Sequence, residues 1–251
     1  MDISIKDKVI VVTGAARGIG RALALGLADE GARIAVVARD LDRAQTVVDE
    51  IATLPAAPPA FAVAADVSDD DQVAAAATRI DEHFGRVDGL VNNAGFMPGR
   101  TPLRDLDIAL LHRVLDSNLV SGFVTTKHFA PLMIRGGGGR IVYLSSIAAV
   151  QVTAGGPAYS AAKAGVNMLT TAAHHEFAHE GIRTVAIAPG LTDTPGMRDI
   201  ITPDHLARTA AAYPGGRLGQ PEDIVSLVVY LCSDAAEHLS GTVVTVRPAV
   251  S

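Results

Sequence analysis

The chain has 251 residues, 49% of them hydrophobic, which is enough to bury a substantial core and a common length for one α/β domain. A net charge of -6 without any basic run argues against a nucleic-acid-binding surface, and a single cysteine, Cys232, excludes an internal disulfide. The opening Met1-Asp-Ile-Ser-Ile-Lys-Asp7 is too charged for a signal peptide and no apolar stretch is long enough to span a membrane, so a soluble cytoplasmic protein is expected.

Apolar Val9-Ile-Val-Val12 leads into Thr13-Gly-Ala-Ala-Arg-Gly-Ile-Gly20, after which Ile19, Leu23 and Leu27 recur at helical spacing. This reads as strand, glycine turn and helix. Such a turn aims backbone N–H groups and a positive helix end at a phosphate, although three glycines can also form an ordinary tight turn. Further strands are predicted near 33–38, 60–65, 87–91, 140–144, 183–188 and 242–246, with helical patterns between most of them. The alternation predicts a doubly wound, mostly parallel α/β sheet of Rossmann-like form, with helices on both faces and one domain over 1–251. Pro55-Ala-Ala-Pro-Pro59 and Gly136-Gly-Gly-Gly139 read as turns rather than linkers.

In Pro157-Ala-Tyr-Ser-Ala-Ala-Lys-Ala164, four-residue spacing puts Tyr159 and Lys163 on one helix face. A neighbouring cation stabilises a phenolate, so the pair can act as a proton donor, while the bland alternative is a solvated lysine beside a half-buried ring. Cys232, within Ile224-Val-Ser-Leu-Val-Val-Tyr-Leu-Cys232, reads as a buried small hydrophobe. His174-His175 gives no metal site, since adjacent residues face different ways and no third ligand is suitably spaced.

Seven landmarks in order give the chain its resemblance to the short-chain dehydrogenase/reductase family, in its compact form. They are the glycine segment 13–20, Asp66-Val67, Asn92-Asn-Ala-Gly95, Asn118, Ser145-Ser146, Tyr159 with Lys163, and Pro189-Gly190. The resemblance implies that Gly14, Gly18, Ile19 and Gly20 hold the cofactor pyrophosphate side, that Asp66 and Val67 meet the adenine, and that Asn93 and Gly95 meet the adenosine ribose and the sheet's central wall. Asp66 could instead cap the following helix, and Asn92 could be purely structural. Ser146 would hold the substrate carbonyl, with Ser145 as the alternative, and Tyr159 would exchange the proton. Lys163 would lower the tyrosine pKa and bind the nicotinamide ribose. Asn118 would hold a water through its backbone, or merely mark a kink. Thr192 and Thr194, within a mobile substrate lid near 191–215, would lie near the carboxamide and pyrophosphate. Phe96, Met97, Val150, Val152 and Met197 are candidate pocket walls, suited to a lipophilic carbonyl or alcohol.

An acid about 20 residues past the glycines binds a free ribose hydroxyl, whereas arginine suits a 2′-phosphate. The second strand ends in Ala38-Arg39-Asp40; the resemblance implies that the acid of NAD-using members would stand at position 38, which is alanine, and the basic residue of NADP-using members at Arg39, with Arg17 able to reach the same phosphate. Asp40 reads as a helix N-cap, which favours NADP(H) over NAD(H). Two departures from the family pattern are Thr184-Val185 and the ending Val246-Arg-Pro-Ala249, the latter making a tetramer less secure than a dimer through helices near 106–134 and 158–180. The expected activity is NADP(H)-dependent interconversion of ketone and secondary alcohol by a homodimer or homotetramer. Alternatives are a non-catalytic dinucleotide-binding regulator, an NAD-dependent alcohol dehydrogenase, and a sugar-nucleotide epimerase or dehydratase, for which the glycine spacing and C-terminal length are wrong.

Overall fold

The computed structural model describes residues 3–151 and 155–247; Val152, Pro248 and Ala249 lie outside them. Seven strands form one sheet: β1 (Val9–Thr13), β2 (Arg33–Ala38), β3 (Phe61–Ala64), β4 (Gly89–Asn92), β5 (Gly139–Leu144), β6 (Ile182–Pro189) and β7 (Thr242–Val246). Every neighbouring pair is parallel and the order is β3-β2-β1-β4-β5-β6-β7. The direction of winding therefore reverses between β1 and β4, which opens a crevice beyond their carboxyl ends.

A strand alternates its faces, and β1 shows how that sorts the core: Ile10 and Val12 join the cluster on one side of the sheet, Val11 the cluster on the other. Helices α1 (Gly18–Asp29), α2 (Leu41–Ile51) and α9 (Glu222–Cys232) cover the first face. Helices α3 (Asp70–Phe84), α5 (Ser121–Arg135) and α6 (Pro157–Phe177) cover the second. Between β4 and α5 lies α4 (Ile108–Leu115), joined to α5 through a π-helical turn, Asp116–Val120. Two short helices, α7 (Pro195–Arg198) and α8 (Pro203–Ala212), follow β6.

The predicted strands lie within two residues of the observed ones. The fourth begins at Gly89 rather than 87, yet Asp88 already donates its N–H to Val9 O at 2.8 Å and accepts from Val9 N through its carboxylate, also at 2.8 Å. Cys232 is buried, and desolvation pushes its thiol up to about 12. His174 is held by Ser240, its Nδ1 lying 2.8 Å from the serine Oγ.

Candidate active site

The glycine turn and the loop after β4 are built against each other. Asn93 donates its side-chain amide to Thr13 O at 2.9 Å and Gly14 O at 3.2 Å, while Thr13 Oγ1 accepts from the N–H groups of Asn93 and Ala94, both at 3.1 Å. Gly14 has φ +62, and a Cβ there would lie 2.8 Å from Ala94 Cα. At Gly20 a Cβ would lie 2.4 Å from Gly14 O. Helix α1 has no side-chain cap and no acid in its first turn, so its first N–H groups and positive end face the crevice. That cradle fits a dinucleotide phosphate and would be filled by any larger side chain.

A cleft of about 460 Å³ runs from this turn to the reactive residues. It brings together Ile19, Asn93, Gly95, Asn118, Ser146, Tyr159 and Lys163 with Pro189, Gly190, Thr192 and Thr194. Gly14, Arg17, Gly18, Gly20, Arg39, Asp66 and Val67 do not line it; they lie beyond it, at or after the carboxyl ends of β1, β2 and β3. Of the expected walls, Phe96, Met97 and Met197 line the cleft, whereas Val150 is exposed and turned away from it.

The two serines separate by one register step. Ser145 is buried, donating to Asn167 Oδ1 at 2.6 Å and to Lys163 O at 3.3 Å. Ser146 faces the cleft, hydrogen-bonded to the Tyr159 hydroxyl, and accepts from Ala148 N at 3.1 Å. Lys163 donates to Leu144 O at 2.7 Å and stands 5.6 Å from the Tyr159 ring centroid.

The net shift of the phenol runs opposite to the lowering the family resemblance implies: burial pushes Tyr159 up to about 12, with the Ser146 hydrogen bond opposing it, and burial pushes Lys163 down to about 8. Desolvation penalises the charged form of each group. The phenol accordingly keeps its proton at neutral pH, as a donor must.

Asn118 sits in the π-helical turn, which interrupts the regular helical hydrogen bonding. Its amide donates to Phe96 O at 2.7 Å and Val114 O at 2.9 Å, pinning the loop after β4, while its buried Oδ1 has no protein partner among the described residues. A Cβ on Gly95 would lie 2.7 Å from that oxygen and 3.7 Å from Lys163 Nζ, so a glycine is needed where the three groups converge.

Around the adenosine end, Asp66 forms a tight local turn, accepting from Ser68 N at 3.0 Å and Ser68 Oγ at 2.7 Å; Asp69, not Asp66, caps α3. Val67 packs on the second core cluster. Asp40 caps α2, accepting from Asp42 N at 3.1 Å and Arg43 N at 3.2 Å, and pairs with Arg43. Arg39 is exposed and makes no ion pair among the described residues. The Arg17 guanidinium lies against the first turn of α7, 3.6 Å from where a Gly196 Cβ would stand. Thr194 caps α7 over Gly18, and Thr192 is bridged to Gly219. Sequence reasoning missed Arg100, His205 and Tyr213, which line the cleft from loops and α8 with no motif to announce them.

These features define a Rossmann-like oxidoreductase site, and the comparisons agree. A family model described as enoyl-(acyl carrier protein) reductase matches residues 14–247. The chain belongs to the short-chain dehydrogenase/reductase family. It is 40% identical over 242 residues to the cis-4-hydroxycyclohexanecarboxylate dehydrogenase of Sinomonas cyclohexanicum, covering 96% of this chain and 95% of that protein. Among solved structures it is similar to a 7α-hydroxysteroid dehydrogenase complexed with NADH and 7-oxo glycochenodeoxycholic acid, at TM-score 0.91 and 34% identity, covering 97% and 94% of the two chains. A structure from Beutenbergia cavernae with bound NADP at low occupancy matches at TM-score 0.89 and 36% identity, covering 97% and 96%. The chain is an oxidoreductase that uses a nicotinamide dinucleotide. No helix among the described residues is long and apolar enough to cross a membrane.

Two outcomes are expected. Gly20→Ala puts a Cβ against a backbone carbonyl, so overpacking of about 1–3 kcal/mol exceeds the helix gain of about 1 kcal/mol, lowering the urea midpoint and weakening cofactor binding measured by fluorescence. Lys163→Met relieves a buried charge. Because burial depresses the folded-state pKa to about 8 from 10.5, the wild type bears the full cost below pH 8 and sheds it as pH rises toward 10.5. The variant is therefore more stable by roughly 2 kcal/mol at pH 7, after about 1 kcal/mol for the lost bond to Leu144 O, and urea unfolding shows that gain disappearing by pH 10.

Proposed function

We propose that the chain interconverts a ketone and a secondary alcohol with NADP(H), using Ser146, Tyr159 and Lys163. The observation that carries this reading is the convergence of those three groups on one mostly apolar cleft leading to the uncapped end of α1. Ser146 donates to the substrate oxygen and, with Tyr159, fixes it. Tyr159, protonated at neutral pH, gives its proton to that oxygen as it becomes an alkoxide. In the reverse direction it takes the proton back, and Lys163 and the Asn118 turn supply the polar path by which a proton is replaced. When bound, the nicotinamide supplies or accepts the hydride, and the glycine turn, Asp66, Val67, Asn93, Pro189, Gly190, Thr192 and Thr194 would hold the cofactor.

Preference for NADP(H) rests on the exit of β2. Ala38 offers no acid, Asp40 is committed to capping α2, and Arg39 and Arg17 make no ion pair among the described residues. A regulator without catalysis would have no need of the buried lysine beside a protonated tyrosine. We further propose that residues 1–251 act as one unit with 191–215 as its lid, and that the protein is a homodimer or homotetramer. The outer faces of α4, α5 and α6 leave Ile108, Phe123 and Met168 exposed, as helices packing on a second copy would.

Two of the similar proteins, the cis-4-hydroxycyclohexanecarboxylate dehydrogenase and the 7α-hydroxysteroid dehydrogenase, are named for ring-borne alcohols, so the test is a panel of cyclohexanone, 4-oxocyclohexanecarboxylate and a keto-steroid with each cofactor, followed by absorbance. Tyr159→Phe is expected to cut kcat by about 10²–10⁴-fold with cofactor affinity retained, and a variant keeping a tenth of the rate would show that another group is the acid. Wild type is expected to prefer NADPH over NADH in kcat/KM by at least about tenfold, or about 1.4 kcal/mol. Ala38→Asp with Arg39→Ala reverses that, whereas Asp40→Ala loses about 1 kcal/mol of stability and keeps the NADPH preference. An NADH preference that disappears in Asp40→Ala would instead make Asp40 the ribose ligand.

A further inference from the structure

The protein is acidic, with 27 Asp and Glu against 21 Lys and Arg, yet among the described residues lining its cleft there is no carboxylate. The ionisable bases there are Lys163 on the floor, and Arg100 and His205 beyond it. Lys163 is accounted for by Tyr159 and Leu144. Arg100 is not: its only side-chain hydrogen bond among the described residues is Nη2 to His205 Nε2 at 3.4 Å.

Both residues are placed by backbone rather than left to wander. Thr101 donates its N–H to Gly155 O at 2.9 Å, and a Cβ on Gly155 would lie 2.9 Å from Arg100 Cβ, so Arg100 rides against the segment just before α6, the helix that bears Tyr159. His205 comes from α8 on the opposite side of the cleft, where its own carbonyl accepts from Thr209 Oγ1 at 2.8 Å. A guanidinium has only donors, so in this contact Nε2 is the acceptor, which leaves the rest of the guanidinium fork open toward the cleft. A planar fork of donors in a cleft with apolar walls at Phe96, Met97 and Met197 matches a carboxylate bidentately.

We propose that Arg100, oriented by His205, is a specificity residue that binds a carboxylate on the substrate, so that the enzyme acts on hydroxy or oxo acids whose carboxylate lies at a distance from the reacting carbon. This rests on the carbonyl–alcohol reading of the same cleft. The substrate's carbonyl is held by Ser146 and Tyr159, and its carboxylate lies toward the α8 side. A neutral ketone would fill the apolar walls and leave the exposed guanidinium to water.

The test compares 4-oxocyclohexanecarboxylate with its methyl ester on wild type, Arg100→Met and Arg100→Lys. In wild type the acid-to-ester ratio of kcat/KM is expected to reach at least about thirtyfold, equivalent to about 2 kcal/mol, carried mainly in KM. The ratio falls to near unity in Arg100→Met and recovers in part in Arg100→Lys. Calorimetry with cyclohexanecarboxylate, which has no carbonyl to reduce, reads the same contact without turnover: with the nicotinamide cofactor present, Kd rises by at least about tenfold in Arg100→Met. Equal binding by wild type and Arg100→Met, or an acid-to-ester ratio near unity in wild type, overturns the subsite. A wild type that binds cyclohexanecarboxylate through Arg100 but reduces no ketone leaves the subsite standing and defeats the carbonyl reading instead.

Discussion

Everything at the site depends on the stitch between β1 and β4. The two strands are neighbours in the sheet, but the chain leaves them in opposite directions, and polar backbone exposed at such a parting must find partners. Asn93 and Thr13 provide them, the asparagine amide holding Thr13 O and Gly14 O and the threonine hydroxyl accepting two N–H groups. That leaves the first N–H groups of α1 facing the crevice instead of folding back on the protein. The Gly14 and Gly20 positions follow from the same closeness, since the loop after β4 occupies the volume a side chain would take.

On this frame the reactive groups are held in a state that costs stability. Lys163 and Tyr159 share a desolvated face of α6, and burial pushes each away from its charged form. Replacing the lysine would stabilise the fold while removing its chemistry, the trade common at active sites. Leu144 O compensates in part by accepting from the ammonium, and the Ser146 hydroxyl does the same for the phenol. The π-helical turn at Asn118 is a second such concession, a helix defect in an otherwise regular layer that lets the amide reach Phe96 O.

The sheet was legible because its strands are apolar runs separated by helical periodicity, and parallel strands buried on both faces need little else. Tyr159 with Lys163 and the Asp40 cap were legible for a related reason: each is local, with the partner fewer than five residues away. What the sequence concealed is non-local or environmental. The sign of the Tyr159 shift depends on how much protein surrounds the phenol, a property no four-residue spacing carries. Val150 was read as a wall from its apolarity alone, but the short 3-10 turn after Ser146 rotates it outward. Arg100 and His205 are 105 residues apart and meet only because α8 folds across the cleft.

The exit of β2 shows how a local rule bears on a distant chemical question. One carboxylate cannot cap a helix and grip a ribose with the same oxygen. Asp40 accepts from two α2 N–H groups through Oδ1 and faces Arg43 through Oδ2, so the nearest acid is spent on folding. Ala38, buried at the strand end, supplies nothing in its place, and Arg39 stands exposed without a counter-charge among the described residues. A free ribose hydroxyl would find no acceptor at position 38, whereas a phosphate would find a cation, and removing the cap would loosen α2 without creating the missing acceptor. The proposed preference for NADP(H) thus rests on which acid the helix needed first.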